Sequence, residues 1–159
     1  SGWMKFSRRS SPKKGTGPFE FSDHTMTFLD PKLAEVVQRD PRYAYEAYEF
    51  IDRALQQTLK MLGRERLPGA VPGDPRLHVT GRELLEGVRT LALAEFGLLA
   101  RTVFAQWGIG RTGDFGNIVF NLIEAGLMSR SDDDTLDDFR DVYNFDEALD
   151  YRIQLDEAL

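Results

Sequence analysis

The chain contains no cysteine. That excludes disulfides, thiolate metal sites and a cysteine nucleophile, and it fits a reducing cytoplasm, where we expect the protein to reside. Histidine is nearly as scarce. His24 and His78 stand far apart, so a zinc site would need carboxylates that only the fold can bring in. His78 reads as a loop or capping residue just ahead of a helix. No run of eighteen apolar residues occurs, so neither a spanning helix nor a membrane partner is expected. The N-terminus also lacks the continuous apolar segment of a secretory signal. G-x-S-x-G, H-E-x-x-H and P-loop patterns are missing. Scattered carboxylates are the remaining acid–base material, and nothing in the sequence selects a pair among them. No catalytic residue, metal ligand or cofactor is therefore assigned.

What is present is ordinary globular material, unevenly charged. Of 159 residues, 42% are apolar and 29% charged, enough for a real core in one domain, or in one domain with an added helical unit. Residues 1–25 hold five Lys/Arg against two acids, residues 26–77 eight of each sign, and residues 78–159 seven Arg against sixteen Asp/Glu; these net charges of +3, 0 and −9 make up the total of −6. A half with that acidity repels phosphate backbones and attracts basic partners.

Residues 1–25 lack helical or strand periodicity and are rich in Ser, Gly, Pro, Lys and Arg, which predicts a disordered basic tail or a vector remnant. Folded structure is expected from residue 26. Asp30-Pro31 and Asp40-Pro41 each pair an N-cap with a first-turn proline, predicting helices over 31–38 and 41–62. Ala44, Ala47, Tyr48, Ile51, Leu55, Leu59 and Leu62 form one apolar stripe on the second helix, which Gly63 ends. The Pro- and Gly-rich segment 63–77 reads as a linker loop. Thr80 and Glu83 fit a capping box ahead of a helix carrying Leu84, Leu85, Val88, Leu91 and Leu93. Gly97 breaks that helix. A second, over 98–107, carries Leu98, Leu99, Val103, Phe104 and Trp107. A third, over roughly 114–125, carries Phe115, Ile118, Val119, Leu122 and Ile123, with Gly126 at the expected left-handed C-cap. Beyond it, LMSRS and FRDVYNF are candidates for two short strands around the polar DDDTLDD, and the closing DEALDYRIQLDEAL for a further helix. The expected fold class is mainly α with a small β-hairpin (α+β), an N-terminal helical unit at 26–62 preceding an acidic half at 78–159.

The stretch WGIGRTGDFG, Trp107 to Gly116, carries two nucleotide signatures at once. Gly108, Gly110 and Gly113 spell G-x-G-x-x-G, and Asp114-Phe115-Gly116 spells D-F-G. The first works only after a β-strand inside a βαβ unit, and here the preceding residues are strongly helical. The second needs a catalytic loop, a lysine strand and a distant glycine-rich loop, none of which is present. The stretch reads instead as a turn between helices. Gly108 and Gly110 are expected to supply positive φ at a helix exit, and Thr112 or Asp114 to cap the next helix.

Helix, glycine turn and helix, followed by the step from Leu122 to Gly126-Leu127, make residues 80–145 resemble a winged helix-turn-helix. That resemblance implies a winged-helix-like half. In a DNA-reading version the helix over 114–125 would enter the major groove, with Arg111, Asn117 and Asn121 as contacts. No basic residue accompanies the two asparagines on that helix. Asp132, Asp133, Asp134, Asp137, Asp138 and Asp141 would face the duplex, against the phosphate neutralisation that DNA affinity needs. Protein contact is favoured. From Met26 on, FLDPKLAEVVQRDPRYAYEAYEF, HVTGRELLEGVRTLALAEFGLLARTVFAQWG and RTGDFGNIVFNLIEAGLMSRSDDDTLDDFRDVYNFDEAL resemble an uncharacterised family of small proteins of Planctomycetes and Verrucomicrobia. The resemblance spans 26–150 and implies a bacterial, cytoplasmic protein. It carries over no activity and no site residue.

Two stretches are candidates for partner binding. RDPRYAYEAYEF places Tyr43, Tyr45 and Tyr48 in several directions on one helix, so some are expected at a surface, where tyrosines favour protein contacts. Arg39 and Arg42 beside them would suit RNA stacking, and core packing against the second half is the plainer alternative. SDDDTLDD supplies Asp132, Asp133 and Asp134. Asp132, Asp134 and Asp138 match some EF-hand positions, but the turn glycine is missing and Tyr143 stands where glutamate should, so a solvated acidic turn is the plainer reading. The expected role is a non-enzymatic module that binds a protein partner, a basic one suiting its charge. A nucleic-acid-binding, transcription-regulator-like winged helix is the alternative. An enzyme built from scattered carboxylates and His78 is the third possibility.

Overall fold

Asp30 opens the first helix as expected: its carboxylate accepts the Lys32 N–H at 2.9 Å and Pro31 takes the first helical position, giving α1 (Pro31–Arg39). The structure, a computed structural model, describes residues 6–8, 30–64, 68–71, 74–130 and 135–152. Asp40-Pro41 does not repeat the cap. It closes α1, and α2 (Tyr45–Met61) starts four residues later than its proline suggests. Tertiary contacts explain the delay. Tyr43 is drawn into the core, and the Ala44 N–H donates to the Trp107 carbonyl at 3.1 Å instead of entering a helical ladder. The buried face of α2 runs from Ala47 to Leu59, the middle of the expected stripe; Ala44 stands at the N-cap and Leu62 is exposed at the C-cap, and Gly63 follows at φ +68°.

The segment expected as a linker includes one 3-10 turn, Pro75–Leu77. The capping box then forms in full: the Glu83 N–H donates to the Thr80 hydroxyl at 3.0 Å and the Thr80 N–H to the Glu83 carboxylate at 2.9 Å. It starts α3 (Gly81–Phe96), which packs along α2. Their crossing is close because a Cβ at Gly87 would run into the Thr58 hydroxyl. Gly97, at φ +52°, breaks the helix into a 3-10 corner, Gly97–Leu99, before α4 (Ala100–Gln106) and α5 (Thr112–Glu124). Gly126 closes α5 at φ +74°, where the Gly126 and Leu127 N–H groups donate to Ile123 and Leu122, the double bond of a Schellman end.

Of the expected hairpin, only the first strand forms, and FRDVYNF is not its partner. Strand β2 (Met128–Arg130) pairs antiparallel with β1 (Phe6–Arg8), Ser7 opposite Ser129, so three residues of the segment expected as a tail enter a ladder. Leu136–Phe139 is a 3-10 turn and Phe145–Ala148 a short helix, α6, capped by Asn144. Local capping and burial outweigh the alternating pattern. Phe139 is fully buried between Gly81 and Gly116, its carbonyl accepts the Thr112 hydroxyl at 2.6 Å, and the Tyr143 hydroxyl donates to the Leu85 carbonyl at 2.6 Å. Of the closing segment, residues 146–148 fall in α6, Tyr151 and Arg152 are helical, and residues 153–159 lie outside the described residues. The molecule is mainly helical. One core cluster runs from Val36 to Leu149, drawing on residues either side of 63–77. Phe104 stands at its centre, with ring centroids 5.6 Å from Phe50, 5.2 Å from Phe115 and 5.5 Å from Phe145.

Candidate functional site

At the N-terminus of α5 the glycine turn is filled by the chain's own carboxylate. Asp114 accepts the Gly110 N–H at 2.8 Å and the Arg111 N–H at 3.2 Å on one oxygen, and the Tyr43 hydroxyl at 2.7 Å on the other. A phosphate bound as in the dinucleotide fingerprint would need such donors free. Gly108 has the expected positive φ, +88°, and a Cβ there would meet the Arg42 carbonyl. Gly110 does not: its backbone stays in the ordinary region and its N–H is used by Asp114. Neither Thr112 nor Asp114 is the N-cap: α5 starts two residues earlier than expected, with Arg111 at the cap. Asp114 in the first turn reaches back to the Gly110 and Arg111 N–H groups, Phe115 is core, and Gly116 leaves room for Phe139.

The same face of α5 reaches the segment before α2. Tyr43 and Tyr48, candidates for partner contact with core packing as the plainer alternative, are 2% and 1% exposed, so they take the core role. Asn117 and Asn121, read as base contacts, meet them. The Asn117 amide donates to the Tyr43 hydroxyl at 2.9 Å; the Asn121 amide donates to Asp40 at 2.8 Å and to the Tyr48 hydroxyl at 3.0 Å. Both hydrogens of the Asn121 amide are taken inside the fold. Arg42 grips Asp40 through two bonds of 2.8 Å and holds its carboxyl well below the usual range, against the opposing effect of desolvation. Burial pushes the Tyr43 phenol up to about 12 and raises that of Tyr48. Tyr45 is half-buried and accepts the Asp30 N–H at 2.8 Å, and Arg111 is exposed at the N-cap of α5. The signal for this seam was present in the sequence. Asp114, Asn117 and Asn121 recur at helical spacing and make a polar stripe on an otherwise apolar helix, which needs polar partners when it is packed.

The solvent-facing feature that sequence reasoning missed is an apolar corner. Leu98 and Leu99 were expected on a helix with its apolar residues; instead they occupy the 3-10 corner before α4, 76% and 62% exposed. Gly97 turns the chain there, so α4 buries Ala100 and Phe104 and leaves the two leucines outside. Beside them a groove of about 540 Å³ runs between α4 and the segment over 145–152. Leu98, Thr102 and Ala105 line one wall, and Phe145, Leu149 and Tyr151 the other. Its rim carries two ion pairs, Arg101–Asp146 at 2.6 Å and Arg152–Asp150 at 2.9 Å. Elsewhere Met61 and Leu62 at the end of α2 are 47% and 41% exposed, and Val71 and Leu136 stand singly, as is ordinary for a protein surface.

Asp132, Asp133 and Asp134 lie outside the described residues. Nearby, Asp137 pairs with Arg140 at 2.9 Å and Asp138 accepts the Thr135 N–H at 3.3 Å. Among the described residues, no group of three or more His, Asp or Glu is placed to hold a metal ion, and no helix is long and apolar enough to cross a membrane. The His78 backbone accepts Arg64 at 2.7 Å at the end of a 3-10 turn. Comparison of the chain with protein-family models, with curated proteins and with solved structures gives no match.

Proposed function

We propose that this protein is a non-enzymatic binding module that acts by protein contact on a winged-helix-like helical scaffold. The observation that carries the reading is the exposed Leu98–Leu99 pair beside an open groove walled by leucine and aromatic side chains. Apolar and aromatic anchors next to a pocket are the usual material of a protein interface. The α4–turn–α5 pair followed by β2 supports the winged-helix-like description of the scaffold. The inward use of Asn117 and Asn121 favours protein over nucleic acid, since a reading helix must offer its amides to bases. The net charge of −9 over residues 78–159 suits a basic partner and a cytoplasmic role away from nucleic acid.

The test is a pull-down with the tagged full chain from cells that naturally express it, with and without nuclease. Two variants are run beside it: Leu98→Asp with Leu99→Asp, and Asp132, Asp133 and Asp134 changed to Lys. The expected result is a small set of proteins that persists after nuclease and is lost with the leucine variant, the lysine variant weakening any basic member. Loss of every partner on nuclease treatment would overturn the reading in favour of nucleic acid contacted through Arg111 and its neighbours.

A further inference from the structure

We infer that the Leu98–Leu99 corner and its groove form a self-complementary face that takes a second copy of this chain. The inference rests on reading this face as a protein-contact site, and it names the occupant. In a two-fold contact residue i of one copy meets residue j of the other and the reverse, so a protrusion and a recess must lie side by side on one surface. Here they do: Leu98 and Leu99 stand out from the corner, and the groove opens directly beside them with Leu98 on its rim. In this two-fold contact each leucine corner sits over the other copy's groove, where the half-buried Phe145 and Tyr151 offer apolar surface.

Charge points the same way. With a net charge of −6, copies of the chain repel one another at long range. The rim of this groove is balanced, with Arg101 and Arg152 against Asp146 and Asp150. Each arginine is already paired within the chain, so a basic partner finds these acids taken. An identical partner finds both signs and can exchange pairs across the two-fold axis, Arg101 of one copy with Asp146 of the other. Among partner chemistries, this favours self-association at the groove and leaves the acidic surface elsewhere to a basic partner.

The experiment is sedimentation equilibrium of the full chain from about 1 to 300 μM, the range in which a modest protein interface populates its dimer. The expected result is a mass rising from 18.1 kDa toward twice that value, about 36 kDa. The double variant Leu98→Asp/Leu99→Asp should weaken association at least tenfold with an unchanged circular dichroism spectrum, because both side chains are exposed. Thr102→Arg, which fills the groove from an exposed wall position, should do the same and decides the matter should the leucine variant misfold. Arg101→Asp should weaken the dimer and Arg101→Asp/Asp146→Arg should restore it. A chain that stays at 18.1 kDa throughout, or a dimer indifferent to both the leucine and Thr102 changes, overturns the inference. Should such a monomer still lose its pull-down partners with the leucine variant, the protein-contact reading stands and only the second copy is wrong.

Discussion

The hydroxyl of Tyr43 donates to Asp114 and accepts from Asn117 in a partly buried seam, so its removal leaves two half-buried polar groups short of a partner. Tyr43→Phe should cost about 1–2 kcal/mol, the value of the lost bonds with part of the desolvation cost of their partners; urea unfolding measures it. A loss below a few tenths would mean that water reaches Asp114 and replaces the phenol. The glycines of the turn give a sharper contrast, because the same substitution should change sign within one G-x-G-x-x-G. At Gly108, φ is +88° and an added methyl meets the Arg42 carbonyl, which is backbone and cannot swing away. Gly108→Ala should destabilise by about 2 kcal/mol or more. Gly113, in the first turn of α5, has nothing within 4 Å of the new Cβ. Gly113→Ala should stabilise by about 0.5 kcal/mol through helix propensity. Equal effects at the two positions would contradict the geometry of the turn.

Among the elements, those governed by local chemistry were legible in the sequence and those governed by distant partners were not. The Thr80–Glu83 box, the Asp30 cap, the α2 stripe and the Gly63, Gly97 and Gly126 stops all act within a few residues, and each lies where its pattern indicates. Asp40-Pro41 has the same local form as Asp30-Pro31, but Asn121 and Arg42 hold its carboxylate and Tyr43 is pulled away, so no helix starts there. FRDVYNF alternates like a strand, but Thr112, Gly81 and Gly116 create a seat for Phe139 that only the assembled helices reveal. The polar seam that joins these elements also makes stability depend on pH. Tyr43 keeps its proton in the fold up to about 12, against an unfolded value near 10. Its stabilisation is therefore whole below about pH 10 and is lost as pH rises toward 12, because the unfolded chain ionises first. Asp40 acts with the opposite sign: its held-down carboxyl stabilises above the ordinary carboxylate range and loses that contribution as acid protonates it. Guanidinium unfolding at pH 8, 10 and 11.5 should show the alkaline fall, and Tyr43→Phe should flatten it. An identical slope in the variant would assign the fall to other tyrosines, Tyr48 and Tyr143 among them.

For the molecule as a whole, the Pro- and Gly-rich segment 63–77 reads as a linker loop after an added helical unit, and the core takes in residues from both sides of it. Val36, Phe50 and Leu55 share a cluster with Phe104, Phe115 and Leu149, and the Tyr43–Asp114 and Asn121–Tyr48 bonds span more than seventy residues of chain. Neither half keeps its buried face without the other: α2 covers α3, and the 40–48 segment satisfies the polar stripe of α5. The chain should therefore unfold in one step, with far-ultraviolet dichroism and tryptophan fluorescence giving coincident urea curves and a single m-value of about 1–3 kcal/mol/M. Tyr43→Phe is the discriminating variant, because its partner lies across the proposed boundary. In a single cooperative unit it lowers the common midpoint and keeps the two probes together. In two independent units it would leave the α3–α4 aromatic cluster, which Trp107 reports, at its original midpoint while the helical signal of α1 and α2 moved ahead of it. Separated curves would also undercut the proposed binding face, since Phe96, directly before the Leu98 corner, and Trp107 pack on Phe50 of the opposite half.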